Sequence, residues 1–359
     1  MDLAYHDDWE SARRHLEAWW ANDALDRAAI AVTAPRDRPV GASGPEPQPP
    51  SDPVDRWLNA DYRVTAADYG MRRTFYGGES LPIFWPNLGP GIAAAYLGVE
   101  PVFAPDTVWF NQTARHWKDL APRFDPDNKW WQATLNLVRV AVEASDGNFF
   151  VGHTDIGGVI DIEASLRGTP ALLTDLVDAA REVKRVRGQL IPLWFRWYEE
   201  QERIIHRRLD GASCWLGVWA PGRTYNIQCD FCCMISPAHF DEFVAPELEA
   251  LCSWLDYVTY HLDGPGAARH LDRLLAIAEL HGIQWTPGAG QPSAVAWLPM
   301  LKKIQSAGKI LHLHDDIANV ETILRELSPR GLMLSVSGCR SEAEARELLR
   351  KSEEWSRSR

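Results

Sequence analysis

The chain has 359 residues, 46% of them hydrophobic and 24% charged, with a formal net charge of −12; this is the composition of a folded globular chain with ample core. The acidic balance argues against nucleic acid as the main partner, because phosphate binding needs a basic stripe, and no apolar run reaches the roughly 18 residues of a membrane span. The opening MDLAYHDDWESARRH lacks the basic-then-apolar order of a secretory signal, and six cysteines without a disulfide-framework spacing point to free thiols in a reducing, cytoplasmic setting.

The periodicity of DWESARRHLEAWWAND predicts an N-terminal helix within residues 1–27, with Trp9, Ala12, Leu16, Trp19 and Trp20 on one face. A first strand, AAIAVTAP, follows, and then a Pro- and Gly-rich surface loop over 36–53. Asp52 is placed to cap a helix that has Pro53 at its first position. LPIFWPNLGPG reads as a short strand entering a loop, and TVWFNQT as an extra hairpin strand. NKWWQATLNLVRVAVEASDG is an amphipathic helix, and NFFVGHTDIGG a strand running into a glycine loop. A long helical stretch, 170–209, is expected to break near Gly188 or Pro192.

From ASCWLGVWAPG onward, strand-like and helical runs alternate to the end, where Ser341 and Glu344 form a capping box. Ala28, Leu81, Phe149, Ser213, Tyr257, Ile283, Lys309 and Leu332 mark eight main strands. Sustained alternation implies a parallel sheet with helices outside, and eight units imply a TIM (β/α)8 barrel, here one domain over 1–359 with a helical N-terminal extension. An open doubly wound sheet is the alternative, but no GxGxxG follows the first strand.

In such a barrel the chemistry gathers at the C-terminal ends of the strands. Those ends carry Trp85, His153, Asp155, Trp219, Arg223, His261, Asp263, Gln284, Trp285, His312, His314 and Cys339, with Cys229 and Asp230 just past one of them. In HLDGPG, His261 and Asp263 are two apart on an extended strand and point the same way. Two readings stand side by side. With Cys339 the pair supplies imidazole, carboxylate and thiolate, all ordinary zinc ligands; alternatively, Asp263 caps the helix beginning near Pro265 and His261 packs beneath it. Adjacent Cys232 and Cys233 point to opposite faces and read as packing residues, and Arg167 either holds an anion or caps a helix.

The segments ALDRAAIAVTAPR, GHTDIGGVIDIEASLRGT, QCDFCCMISPAHFDEFVAPEL, YHLDGPGAARHLD, IQWTPGAG and GLMLSVSGCRSEAEARELL resemble the uroporphyrinogen decarboxylase superfamily, in its bacterial branch related to the zinc-dependent corrinoid methyltransferases. The resemblance implies a TIM barrel. It also implies a zinc site in which His261 and Cys339 match two ligands and Asp263 stands where the family has cysteine. The expected enzyme moves a methyl group, from a corrinoid on a partner protein or from another donor, to a thiol or other nucleophile. His153, Asp155 and His314 would be the catalytic groups, and Trp85, Trp219, Arg223, Asp230, Gln284 and Trp285 would bind the small-molecule substrate. The alternative is a metal-independent decarboxylase or lyase acting on a non-porphyrin carboxylated substrate, because the arginine-rich segment of porphyrinogen decarboxylases is missing from APRDRPVGASGPEPQPP. A catalytically idle ligand-binding barrel is a third reading, disfavoured by so many ionisable strand ends. Exposed tryptophans and the Pro-rich loop suggest a homodimer.

Overall fold

Seven strands join in one hydrogen-bonded sheet, in a computed structural model that describes residues 3–41, 44–111 and 116–357. In chain order the strands are β1 (Ala29–Pro35), β2 (Thr74–Gly78), β3 (Ile83–Phe84), β4 (Pro101–Phe103), β5 (Val108–Phe110), β6 (Phe150–Val151), β7 (Thr224–Gln228), β8 (Tyr257–Asp263), β9 (Gly282–Thr286), β10 (Ile310–Asp316) and β11 (Leu332–Ser337). The large sheet runs β2-β1-β11-β10-β9-β8-β7, parallel throughout except for the antiparallel β2. β3 and β6 form a separate parallel pair, and β4 and β5 an antiparallel hairpin. The result is a parallel-dominated α/β fold compatible with a TIM-like barrel. Among the described residues no ladder joins β6 to β7. The segment after residue 211 stands between them, with the His153 N–H donating to the Ser213 carbonyl at 2.9 Å and the Asn226 N–H to Cys214 Sγ at 3.4 Å.

Two expectations about elements are corrected. The run around Ser213 is not a strand. Gly211 (φ 78°) and Gly217 (φ 71°) take left-handed conformations that fold it back on itself, closed by a single antiparallel bridge between Ala212 and Ala220. The strand lies downstream, in TYNIQ. The long helix Ala180–Ile205 passes through both Gly188 and Pro192. Gly188 stands four residues before Pro192, the position whose carbonyl the proline ring displaces from its hydrogen bond, and the helix continues through both. The breaks come earlier, at Gly168 (φ 90°) and Ala179. Other expectations hold. Asp52 accepts the Val54 N–H ahead of Pro53, Ser341 accepts the Glu344 N–H, and β5 is the hairpin strand expected in TVWFNQT. Residues 42–43 of the Pro- and Gly-rich loop and 112–113 of the TVWFNQT run lie outside the described residues.

Alternation along the strands sorts the two sheet faces. One face (Ile227, Tyr260, Leu262, Ile283, Trp285, Leu311, Leu313, Leu334, Val336) joins the main apolar core with the surrounding helices. The other face carries Asn226, Gln228, Thr259, His261, Asp263, Gln284, His312, His314 and Ser335 toward the strands' C-terminal ends, and Ala29, Ile310 and Met333 at their N-terminal ends. The N-terminal helix Trp9–Trp20, shorter than the expected 1–27, lies against that apolar end. Its Trp19 indole N–H donates to the carbonyls of Leu311 (3.3 Å) and Gly331 (3.0 Å), and the Trp20 N–H to that of Trp219 (3.0 Å). The helix is therefore a floor, and the polar residues above it lead to a mouth.

Candidate active site at the strand ends

The mouth holds a cavity of about 400 Å³ whose lining includes Asp155, Gln228, Asp230, His261 and Asp263. Trp57, Trp85 and Trp215 form its aromatic walls, and Asn87 and Asp106 lie at its edge. These residues come from the ends of β3, β6, β7 and β8, from the β4–β5 hairpin, from the helix Pro53–Leu58 (Trp57) and from the folded-back loop after residue 211 (Trp215); the hairpin's Ala104 carbonyl receives the Trp57 indole N–H at 2.8 Å. Arg63 braces the wall, donating to the carbonyls of Asn87 (2.9 Å), Trp57 (3.1 Å) and Trp85 (3.5 Å). Burial without a carboxylate partner lowers its pKa to about 10.

His261 and Gln284 sit in register on β8 and β9. Gln284 donates its Nε2 to Thr286 Oγ1 (2.8 Å), turning its Oε1 to His261 Nδ1. Nδ1 must then carry the proton, which leaves Nε2 as a free basic lone pair. The Trp215 ring meets the imidazole edge-on at 5.2 Å.

Asp155, 6% exposed, is pushed up to about 7, first by burial, with Asp230 and Asp161 adding to the effect. Its Oδ1 accepts the Gly157 N–H (3.0 Å) and the Tyr225 hydroxyl (3.2 Å). Asp161 lies behind Asp230, accepting the N–H groups of Asp230 (3.0 Å) and Phe231 (2.9 Å), and is also raised to about 7 by burial and then by Asp230. Asp230 itself reaches solvent, yet the enclosing walls raise its carboxyl; His261 pulls it back down and Asp263 pushes it up. The loop 152–158 meets the end of β7 so closely that a Cβ on Gly158 would lie 2.4 Å from the Gln228 carbonyl.

Of the expected site residues, Trp85, Asp155, Asp230, His261 and Asp263 line this cavity, and Gln284 orients one of them. His314 ends β10 beside His312, with ring centroids 4.7 Å apart, and its pKa is lowered by desolvation and then by His261. The others stand elsewhere. His153 is buried in the shell, stacked on Tyr198 at 3.8 Å, and desolvation lowers its pKa to about 3. Trp219 belongs to the floor, packed on Trp9 at 5.6 Å. Arg223 precedes β7, pairs with Asp256 and covers the Trp254 ring. Trp285 points outward onto Trp297, at 5.0 Å. Cys339 lies beyond β11, where burial and then Glu344 and Asp316 push its thiol up to about 11.

The expected zinc ligands therefore do not assemble. His261 and Asp263 share the cavity, but Cys339 does not line it, and among the described residues no three His, Cys, Asp or Glu side chains are grouped to hold a metal. All six cysteines are free, and no described helix is long and apolar enough to cross a membrane.

The site's remaining members, Trp57, Trp215, Gln228 and Asp161, escape a reading of the sequence alone. Placing the fourth strand at Ser213 puts Trp219 rather than Trp215 at the mouth and leaves β7, with Gln228, unread. The signal was present in TYNIQ, an alternating five-residue run just after the turn residues APGR.

No protein-family model matches the sequence, and no curated protein matches it. Among solved structures the chain is similar to a methyltransferase from Methanosarcina mazei, at 12% identity, with a TM-score of 0.60 over 96% of this chain and 98% of that one. At that identity the likeness shows a shared fold.

Proposed function

We propose that this chain is a methyltransferase built on a (β/α)8 barrel, with the mouth around His261 as its active site. The observation that carries the reading is the convergence of His261, Asp263, Asp230 and Asp155 on one tryptophan-walled cavity at the strand ends, where enzymes of this architecture do their chemistry. The similarity of nearly the whole chain to a methyltransferase supports the reaction class.

In this reading a thiol acceptor enters beside a methyl donor. His261 Nε2 takes the thiol proton as the sulfur attacks the methyl carbon and the donor's bond to that carbon breaks, its electron pair staying on the donor, and Gln284 holds the ring in the tautomer that can do so. Asp263 and Asp230 face the imidazolium that forms. The walls exclude water and hold donor and acceptor in line. A corrinoid on a partner protein is the donor that resemblance would supply; the roles of the side chains are the same for any donor.

The lyase alternative needs a cation to hold a substrate carboxylate. Both arginines suited to it are engaged elsewhere, Arg167 with Asp175 and Arg223 with Asp256. The test is to incubate the purified chain with methyl donors and a small thiol and to follow thioether formation by NMR. His261→Asn should reduce the rate by about a hundredfold or more. Carbon dioxide release without thioether formation would establish the lyase instead.

A further inference from the structure

The carboxylates at the mouth have His261 beside them but no lysine or arginine as counter-ion among the described residues. Asp106, Asp155, Asp230 and Asp263 line one cavity, none of them is paired with lysine or arginine among the described residues, and no lysine or arginine is in the lining. Arg63, behind the wall, spends its donors on backbone carbonyls. Asp230 makes Asp155 harder to ionise and Asp263 does the same to Asp230, so gathering them costs the fold rather than stabilising it.

A second observation is independent of charge. Gln228 is 6% exposed and lines the cavity, and its side-chain amide makes no hydrogen bond among the described residues. Asp155, equally buried, uses only one of its two oxygens. The free atoms of both side chains open to the cavity rather than being sealed beneath it, so a ligand's polar end can meet them there.

The third is the walls. The indole N–H groups of Trp57 and Trp215 are already given to the carbonyls of Ala104 (2.8 Å) and Asn226 (3.2 Å), so what these two rings have left for a ligand is aromatic surface, whereas the buried Trp85 N–H has no partner among the described residues and stays an open donor beside its ring. Aromatic surfaces beside carboxylates suit a cation whose charge is spread over apolar methyl groups.

We infer that the cavity takes a small methylated onium cation, a quaternary ammonium or a sulfonium, as the methyl donor. This rests on the methyltransferase reading for the word donor, and on the cavity alone for the word cation. In the step the thiol S–H proton passes to His261 Nε2 and the sulfur bonds to the methyl carbon. The C–N or C–S bond of the onium breaks, and its electron pair stays on the departing nitrogen or sulfur. The products are a thioether, a neutral amine or sulfide, and an imidazolium, so the positive charge passes from substrate to His261 and stays among the same carboxylates.

Titration calorimetry on the full chain tests this with choline, trimethylsulfonium and 3,3-dimethyl-1-butanol, the neutral carbon isostere of choline. An onium should bind at least about tenfold tighter than the isostere. Trp85→Ala and Asp230→Asn should each weaken onium binding about tenfold, and Trp85→Phe should restore most of the first loss; circular dichroism confirms that each variant is folded. Equal binding of the isostere, no binding of either onium at millimolar concentration, or folded variants that bind like the parent would each overturn the inference. An onium that binds but never gives up its methyl to a thiol would leave the cation site standing and defeat the methyltransferase reading. Methyl transfer from an anionic or neutral donor, without onium binding, would do the reverse.

Discussion

Gln284 and His261 face each other across two parallel strands, and the amide of one decides which nitrogen of the other is basic. Gln284 touches no substrate in this arrangement, so it is a positioning residue. Gln284→Leu should lower kcat by tenfold to about a hundredfold, the range typical of groups that orient an imidazole, with KM little changed. Gln284→Glu places a carboxylate on Nδ1, which favours the imidazolium. The acid limb of the kcat–pH profile should then move to higher pH, a response that a merely structural role would not give.

Asp155 offers a test by stability. The folded chain holds its proton up to about pH 7, whereas the unfolded chain releases it near 3.8. The raised pKa therefore contributes stability that is fully present below about pH 4 and is lost as pH rises toward 7. Buried neutral His153 and His312 have the opposite slope below pH 6.5, so the useful quantity is a difference between two proteins. Asp155→Asn should gain on the parent as pH rises from 4 to 7 and stay level above that, with a ceiling of about 4 kcal/mol. Urea denaturation at a series of pH values measures it; a difference independent of pH would count against the assignment.

The fold and half of the site were legible for different reasons. Strands β8 to β11 announce themselves because every second residue is a large apolar one bound for the core, while the positions between carry the polar groups of the other face, and HLDGPG marks where one of them ends. The hidden half depends on where a chain turns back. Nothing in ASCWLGVWAPG says that Gly211 and Gly217 take positive φ, and so nothing says that its first tryptophan faces the mouth while Trp219 faces the floor. Cys339 misleads for a related reason. Its separation from His261 suits a ligand, but the direction the chain takes after β11 does not.

That contrast gives a third prediction. Cys339→Ser should leave both metal content and methyl transfer at the parent's level, and His153→Phe, which keeps a ring against Tyr198, should stay within about threefold of it. His261→Asn should not. Element analysis and initial rates on the three purified variants are sufficient. Loss of a stoichiometric metal in Cys339→Ser would restore the ligand set expected from resemblance.

A fourth concerns the floor. Trp19 is 1% exposed and fills the space beneath the polar residues. Trp19→Ala should cost about 3–5 kcal/mol. Trp19→Phe keeps most of the bulk and loses the two indole hydrogen bonds, and should cost less, about 1–3 kcal/mol. Thermal unfolding of the pair separates volume from hydrogen bonding.

The same floor sets an order of events in time. Trp19 bonds to Leu311 and Gly331, and β1 pairs with β11, so the first segments to leave the ribosome have their partners among the last. Until β10 and β11 are synthesised, a helix with three tryptophans and a leucine on its buried face has only part of its floor contacts, among them those to Phe150 and Trp219. Contacts of such sequence separation form slowly and leave apolar surface open in the meantime. A nascent chain of this protein therefore leaves apolar surface uncovered until about its last fifty residues emerge, and shortening it at the C-terminus should yield aggregated protein rather than a smaller enzyme.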